Sequence, residues 1–123
     1  MARILVVDDD SQVREVLTEA LEEAGYEVVG VPDGREVLKL LKKMPFDMVI
    51  TDIIMPEKEG IETILEFRQV FPDLKFIAIS GGGRFGPMSN YLEIARNLGA
   101  YCTFSKPFEQ KELVAAVDKA LRE

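Results

Sequence analysis

Residues 4–10 read Ile4-Leu5-Val6-Val7-Asp8-Asp9-Asp10. A strand with one wet face would alternate apolar and polar side chains; four apolar residues in a row suit a strand covered on both faces. Two further runs have the same character. Met48-Val49-Ile50 leads into Thr51-Asp52, and Phe76-Ile77-Ala78-Ile79 leads into Ser80. Tyr26-Glu27-Val28-Val29 and Tyr101-Cys102-Thr103-Phe104 are more mixed and suit the edges of a sheet.

Helical patterns fill the intervals. Val13, Val16, Leu17, Ala20, Leu21 and Ala24 follow helical spacing, with Asp10 as the expected N-cap and Gly25 as the stop. Asp33, with Glu36 three residues on, predicts a capping box opening a helix through Val37, Leu38 and Leu41, ended by Pro45. Ile61, Ile64, Leu65 and Val70 mark a third helix, halted before Pro72. Tyr91, Leu92, Ala95 and Leu98 mark a fourth, stopped by Gly99, and Leu113, Val114, Val117 and Leu121 mark the last. The order is β-α repeated five times. Parallel strands joined by right-handed helical crossovers put helices on both faces of one sheet. The expected fold is α/β, a five-stranded parallel sheet in the flavodoxin-like order 2-1-3-4-5, with its crevice outside the carboxyl ends of strands 1 and 3. One domain over 1–123 is expected, with no output domain.

Composition narrows the chemistry. The 123 residues are 47% hydrophobic and 30% charged, an ordinary globular balance. Asp and Glu outnumber Lys and Arg, 22 to 15, for a formal charge of -7, which disfavours a nucleic-acid partner. There is no histidine, which removes histidine zinc ligands, Ser-His-Asp triads and imidazole bases together. Cys102 is the lone cysteine and reads as a small core residue, in keeping with a reducing, cytoplasmic setting. No apolar run approaches the roughly 18 residues that span a bilayer, so no membrane partner is expected.

The chemistry then falls to the strand ends. Asp8, Asp9 and Asp52 converge on the expected crevice, where three carboxylates would repel one another without a counter-charge. A hard divalent cation relieves this, and oxygen donors in a narrow crevice without His or Cys favour Mg²⁺. Ser80 ends strand 4 with a hydroxyl, and Lys106-Pro107 follows strand 5 with an ammonium. Together these groups suit phosphoryl transfer, which rests on positioning and charge neutralisation. The glycines at 81–83 lack the spacing of a nucleotide-binding loop.

The runs at 4–10, Thr51-Asp52-Ile53-Ile54-Met55-Pro56, Ile79-Ser80-Gly81 and Ser105-Lys106-Pro107-Phe108 resemble the receiver domain of two-component response regulators, in order and over essentially the whole chain. The resemblance implies that Asp52 is the phospho-acceptor, Asp9 a direct Mg²⁺ ligand, and Asp8 a ligand acting largely through water. It also implies that the Ile54 carbonyl ligates the metal, that Ser80 senses the phosphoryl group, and that Lys106 pairs with it, before an often-cis bond to Pro107. The implied donor is a phosphohistidine on a sensor histidine kinase or histidine phosphotransfer protein. The implied output is contact with a downstream protein target, and no enzyme activity is expected beyond the domain's own phosphorylation and slow dephosphorylation.

Two departures from the family pattern motivate an alternative, a receiver-like docking module that does not switch. Thr103 stands where the family carries an aromatic switch residue; Tyr101 is expected on the same strand face, and Phe104 on the other. The stretch from Gly81 to Pro87 is long for a βα loop, where about 2–6 residues are usual, and is expected to be the main moving part. A haloacid-dehalogenase-type phosphatase is disfavoured because Ile54 stands where that family needs a second acid. A flavin carrier is disfavoured because Asp8-Asp9-Asp10 would repel a flavin phosphate.

Overall fold

The computed structural model describes residues 2–53, 60–80 and 89–123, of which 89–92 by their backbone alone. The strands are β1 (Arg3–Val7), β2 (Glu27–Val31), β3 (Met48–Asp52), β4 (Lys75–Ser80) and β5 (Cys102–Ser105). The helices are α1 (Ser11–Glu23), α2 (Val37–Lys43), α3 (Gly60–Val70), α4 (Ser89–Asn97) and α5 (Gln110–Arg122). All pairings are parallel and the sheet order is β2-β1-β3-β4-β5, as expected from the apolar runs.

The continuous apolar runs divide by residue parity. Ile4, Val6, Met48, Ile50, Ile77 and Ile79 pack with Leu17 and Leu21 of α1 and Leu113 and Val117 of α5. Leu5, Val7, Val49 and Phe76 pack on the opposite side with Val37 and Leu41 of α2 and Ile64 and Phe67 of α3. Ala78 joins Ile53 and Ala95 in a smaller cluster under α4. Successive residues point to opposite faces, and both faces are covered. Phe67 and Phe76 meet edge to face, with ring centroids 5.5 Å apart.

The helix ends show which local signals were honoured. Asp10 caps α1, its carboxylate accepting from the Gln12 and Val13 amides at 2.9 and 3.3 Å. Gly25 and Gly99 lie at φ 100° and 105°, the left-handed region that follows α1 and α4. The capping box at Asp33 and Glu36 does not form. Asp33 instead caps a 3-10 turn, Gly34–Glu36, through the Arg35 amide, while Glu36 makes no side-chain cap bond. The tight turn moves Glu36 out of the position a box requires, and Arg35 takes up the Asp33 carboxylate in a 2.9 Å ion pair. Cys102 is half-buried against the α1/α5 side of the core, and burial pushes its thiol pKa up.

Candidate functional site

Strand register assembles the site. Val7 lies opposite Thr51, so the residues that follow, Asp8 and Asp52, emerge side by side at the carboxyl end of the sheet. Asp52 pairs with Ile79 and Ser80 with Ser105, which aligns the ends of β4 and β5 beside them. The Lys106 amide donates to the Ser80 carbonyl at 2.8 Å, and the Lys106–Pro107 bond is cis. Asp8, Asp9, Asp52, Ser80 and Lys106 thus all stand at one end of the sheet.

The acids converge closely. One carboxylate oxygen from each of Asp8, Asp9 and Asp52 lies within 4.8 Å of the others, with Asp8 and Asp52 buried and Asp9 exposed. Lys106 bridges the buried pair, its Nζ 2.9 Å from Asp8 Oδ2 and 2.8 Å from Asp52 Oδ2. The contact with Asp52 is a hydrogen bond. The contact with Asp8 is an ion pair without hydrogen-bond alignment, and among the described residues Asp8 Oδ2 has no hydrogen-bond partner. Asp8 Oδ1 accepts from the Asp10 amide at 2.9 Å.

Burial raises the Asp8 pKa above its ordinary value, and the Asp52 charge adds to the rise; the Asp10 amide and Lys106 oppose it without cancelling it. For Lys106, burial works against the charged form, but the hydrogen bond to Asp52, the close contact with Asp8 and the negative charge of both outweigh it, so its pKa is raised. One ammonium therefore serves two buried carboxylates, with a third at the rim. An all-oxygen donor set, an anionic excess and a buried carboxylate oxygen without a hydrogen bond fit a hard divalent cation.

Gly60 belongs to this site and the sequence reading passed over it. Its amide donates to the Ile53 carbonyl at 2.7 Å, and a Cβ there would stand 2.3 Å from the Asp52 carbonyl oxygen and 2.5 Å from the Ile53 Cα. The signal was present: a glycine in the first turn of a helix weakens it, and so calls for a reason such as close approach. The Asp52 carbonyl also accepts from Thr51 Oγ1 at 2.9 Å.

The two departures fare differently. Thr103 meets α4, where Arg96 Nε lies 3.4 Å from Thr103 Oγ1. Tyr101 does not share the Thr103 face as alternation suggested. It precedes β5, packs with Cys102 and Phe104 against the α1/α5 side, and donates its hydroxyl to Glu123 at 3.0 Å. Alternation stops where the strand does. The Gly81–Pro87 stretch, Met55, Met88 and the Ile54 carbonyl lie outside the described residues.

A family model described as "Response regulator receiver domain" matches residues 4–118, which include every acid of the cluster and Lys106. The chain belongs to the response regulator receiver domain family. This receiver is 37% identical to the response regulator receiver protein CpdR of Brucella abortus, covering 98% of each chain. It is 36% identical to the chemotaxis protein CheY of Thermotoga maritima, covering 95% of each. In structure it resembles a response regulator receiver domain protein from Clostridium thermocellum, with a TM-score of 0.89 and 28% identity over 99% of this chain and 95% of that one. The docking-module alternative is not favoured. Among the described residues, no helix is long and apolar enough to cross a membrane.

Proposed function

We propose that this receiver takes a phosphoryl group onto Asp52 from the phosphohistidine of a sensor histidine kinase or histidine phosphotransfer protein, in the cytoplasm. The observation that carries the reading is Lys106 Nζ seated between Asp8 and Asp52 at 2.9 and 2.8 Å, with Asp9 beside them. In the transfer, an Asp52 carboxylate oxygen bonds to phosphorus as the P–N bond to the donor imidazole breaks. The electron pair returns to that ring nitrogen, and Asp52 becomes an acyl phosphate.

Asp9, Asp52 and the Ile54 carbonyl, with Asp8 acting largely through water, are the residues that would hold Mg²⁺. Bound there, Mg²⁺ supplies charge neutralisation on the transferring phosphoryl oxygens. Lys106 supplies the second positive charge and is already within reach of the Asp52 carboxylate. Ser80 is fully buried at the end of β4, where its hydroxyl senses the phosphoryl group. The domain catalyses only its own phosphorylation and slow dephosphorylation, and spans residues 1–123. Its output is contact with a downstream protein, with neither nucleic acid nor membrane as partner.

Asp52→Asn keeps the shape of the side chain and removes the nucleophile. Incubation with acetyl phosphate and Mg²⁺, followed by intact-mass measurement, is expected to modify the native protein and leave the variant unmodified. Modification of Asp52→Asn at the native rate would place the acceptor elsewhere.

A further inference from the structure

Asp8 is gripped from several directions. Its amide donates to the Val31 carbonyl of β2 at 3.2 Å, its Oδ1 takes the Asp10 amide, and its Oδ2 faces Lys106. A fourth grip comes from α1. Arg14 Nη1 donates to the Asp8 main-chain carbonyl at 2.7 Å, from a side chain that is half-buried. The Arg14 amide also closes the first turn of α1 on the Asp10 carbonyl, so one residue is tied to both ends of the acidic turn.

The route of the Arg14 stem explains an awkward residue in β2. Gly30 sits mid-strand opposite Val6, where glycine costs backbone entropy and offers no side chain to pack. A Cβ at position 30 would stand 3.1 Å from Arg14 Cγ and 3.2 Å from Arg14 Cδ. The arginine stem occupies the space that any other residue at 30 would fill.

We propose that Arg14, seated on Gly30, is a positioning residue for the cation site, holding the Asp8 carbonyl so that the Asp8 and Asp9 carboxylates face Asp52. The inference rests on the reading of that cluster as a Mg²⁺ site. Affinity for a metal depends on the groups that orient its ligands, and losing one commonly costs about 10–100-fold. Arg14 touches neither carboxylate group in its contact with Asp8; it acts on the backbone between β1 and α1.

Two substitutions separate donor from seat. Arg14→Met keeps a stem over Gly30 and removes the hydrogen bond; Gly30→Ala keeps the guanidinium and crowds its stem. Titration of the intact chain with Mg²⁺, followed by backbone amide NMR, is expected to show roughly tenfold weaker binding in both. Arg14→Lys, which restores a cationic donor, is expected to bind more tightly than Arg14→Met, and Glu19→Gln on the exposed face of α1 is expected to match the native protein. In the metal-free spectra the Asp9 and Asp10 amides should shift in both Arg14→Met and Gly30→Ala. Gly30→Ala also replaces a strand glycine, so its melting temperature in EDTA should not fall. Native affinity in both variants would overturn the proposal, as would an affinity loss that merely tracks a fall in melting temperature. Loss in Arg14→Met alone would overturn the seat at Gly30. A native protein whose Asp8, Asp9 and Asp52 amides show no saturable response to Mg²⁺ would overturn the cation reading itself, and this inference with it.

Discussion

The two ends of the sheet handle charge in opposite ways. At the carboxyl ends of the strands, Asp8 and Asp52 are buried with like charge and share one lysine. At the amino ends, charged and polar groups are matched across elements. Arg3 bonds the Glu27 carboxylate at 2.9 Å and the Pro45 carbonyl at 2.8 Å, while its amide takes Asp47 at 2.8 Å. Lys75 donates to the Ala120 and Glu123 carbonyls, closing the end of α5, where the last helical carbonyls lack internal partners. Tyr26 donates to Asp118, and Tyr101 to Glu123. The amino end stitches α5 to the sheet. The carboxyl end keeps an anionic excess that a cation relieves. Substitutions at the two ends should therefore separate stability from metal binding.

The largest effect is expected at Gly60. A methyl group 2.3 Å from the Asp52 carbonyl oxygen cannot be absorbed by rotating a side chain, because the neighbour is backbone. Gly60→Ala should cost about 3 kcal/mol, at the upper end of what overpacking does, measured by urea denaturation. It should also weaken Mg²⁺ binding, because Asp52 moves with its backbone. A variant as stable as the native protein would mean that the turn after β3 yields easily.

Asp8→Asn sharpens the contrast by reversing the usual sign. The ionised carboxylate is disfavoured by burial, so a neutral isostere should stabilise the metal-free fold at neutral pH. Lys106 keeps Asp52 as its partner. The same change should weaken Mg²⁺ binding roughly tenfold or more. Denaturation in EDTA and a Mg²⁺ titration read the two halves separately, and a destabilised variant would show that the ion pair to Lys106 outweighs the burial cost.

At the other end, Lys75→Met should destabilise by about 1–2 kcal/mol, as α5 loses a charged donor to its terminal carbonyls. Mg²⁺ affinity should be unchanged. A change in affinity would show that the ends of the sheet are coupled through β4.

These contrasts also mark what was legible in the sequence. The apolar runs at 4–7, 48–50 and 76–79 declared strands buried on both faces, and their acidic or hydroxylic ends declared the crevice, because strand and helix periods are local properties. Asp10 as a cap was readable for the same reason. The Asp33–Glu36 box failed because a neighbouring arginine competed for the carboxylate, a contest that spacing alone does not reveal. Tyr101 was placed on the wrong face because the strand begins one residue later than its apolar pattern. The approach of Gly60 to Asp52 and the seat of Arg14 on Gly30 are meetings between separate elements. A glycine in a strand or a first helical turn announces that something comes close, but the partner emerges only from the packing.

The smallest effect is expected at Tyr26. Its hydroxyl donates to Asp118 across the join between the start of β2 and α5. Partial burial and the Asp118 carboxylate, which accepts the hydrogen bond and opposes a second negative charge, push its pKa up from 10.0 to about 12. Between those values the folded protein holds a proton that the unfolded chain has released. Stability from this group is therefore complete below about pH 10 and is lost as the pH rises through about 12. Tyr26→Phe removes the donor and leaves Asp118 to water, so the cost at neutral pH should stay near about 1 kcal/mol. The pH dependence separates this contact from simple packing. Native and variant stabilities should converge between pH 10 and 12, the window set by the two values. A constant difference across that window would mean that the ring, rather than its hydroxyl, accounts for the effect.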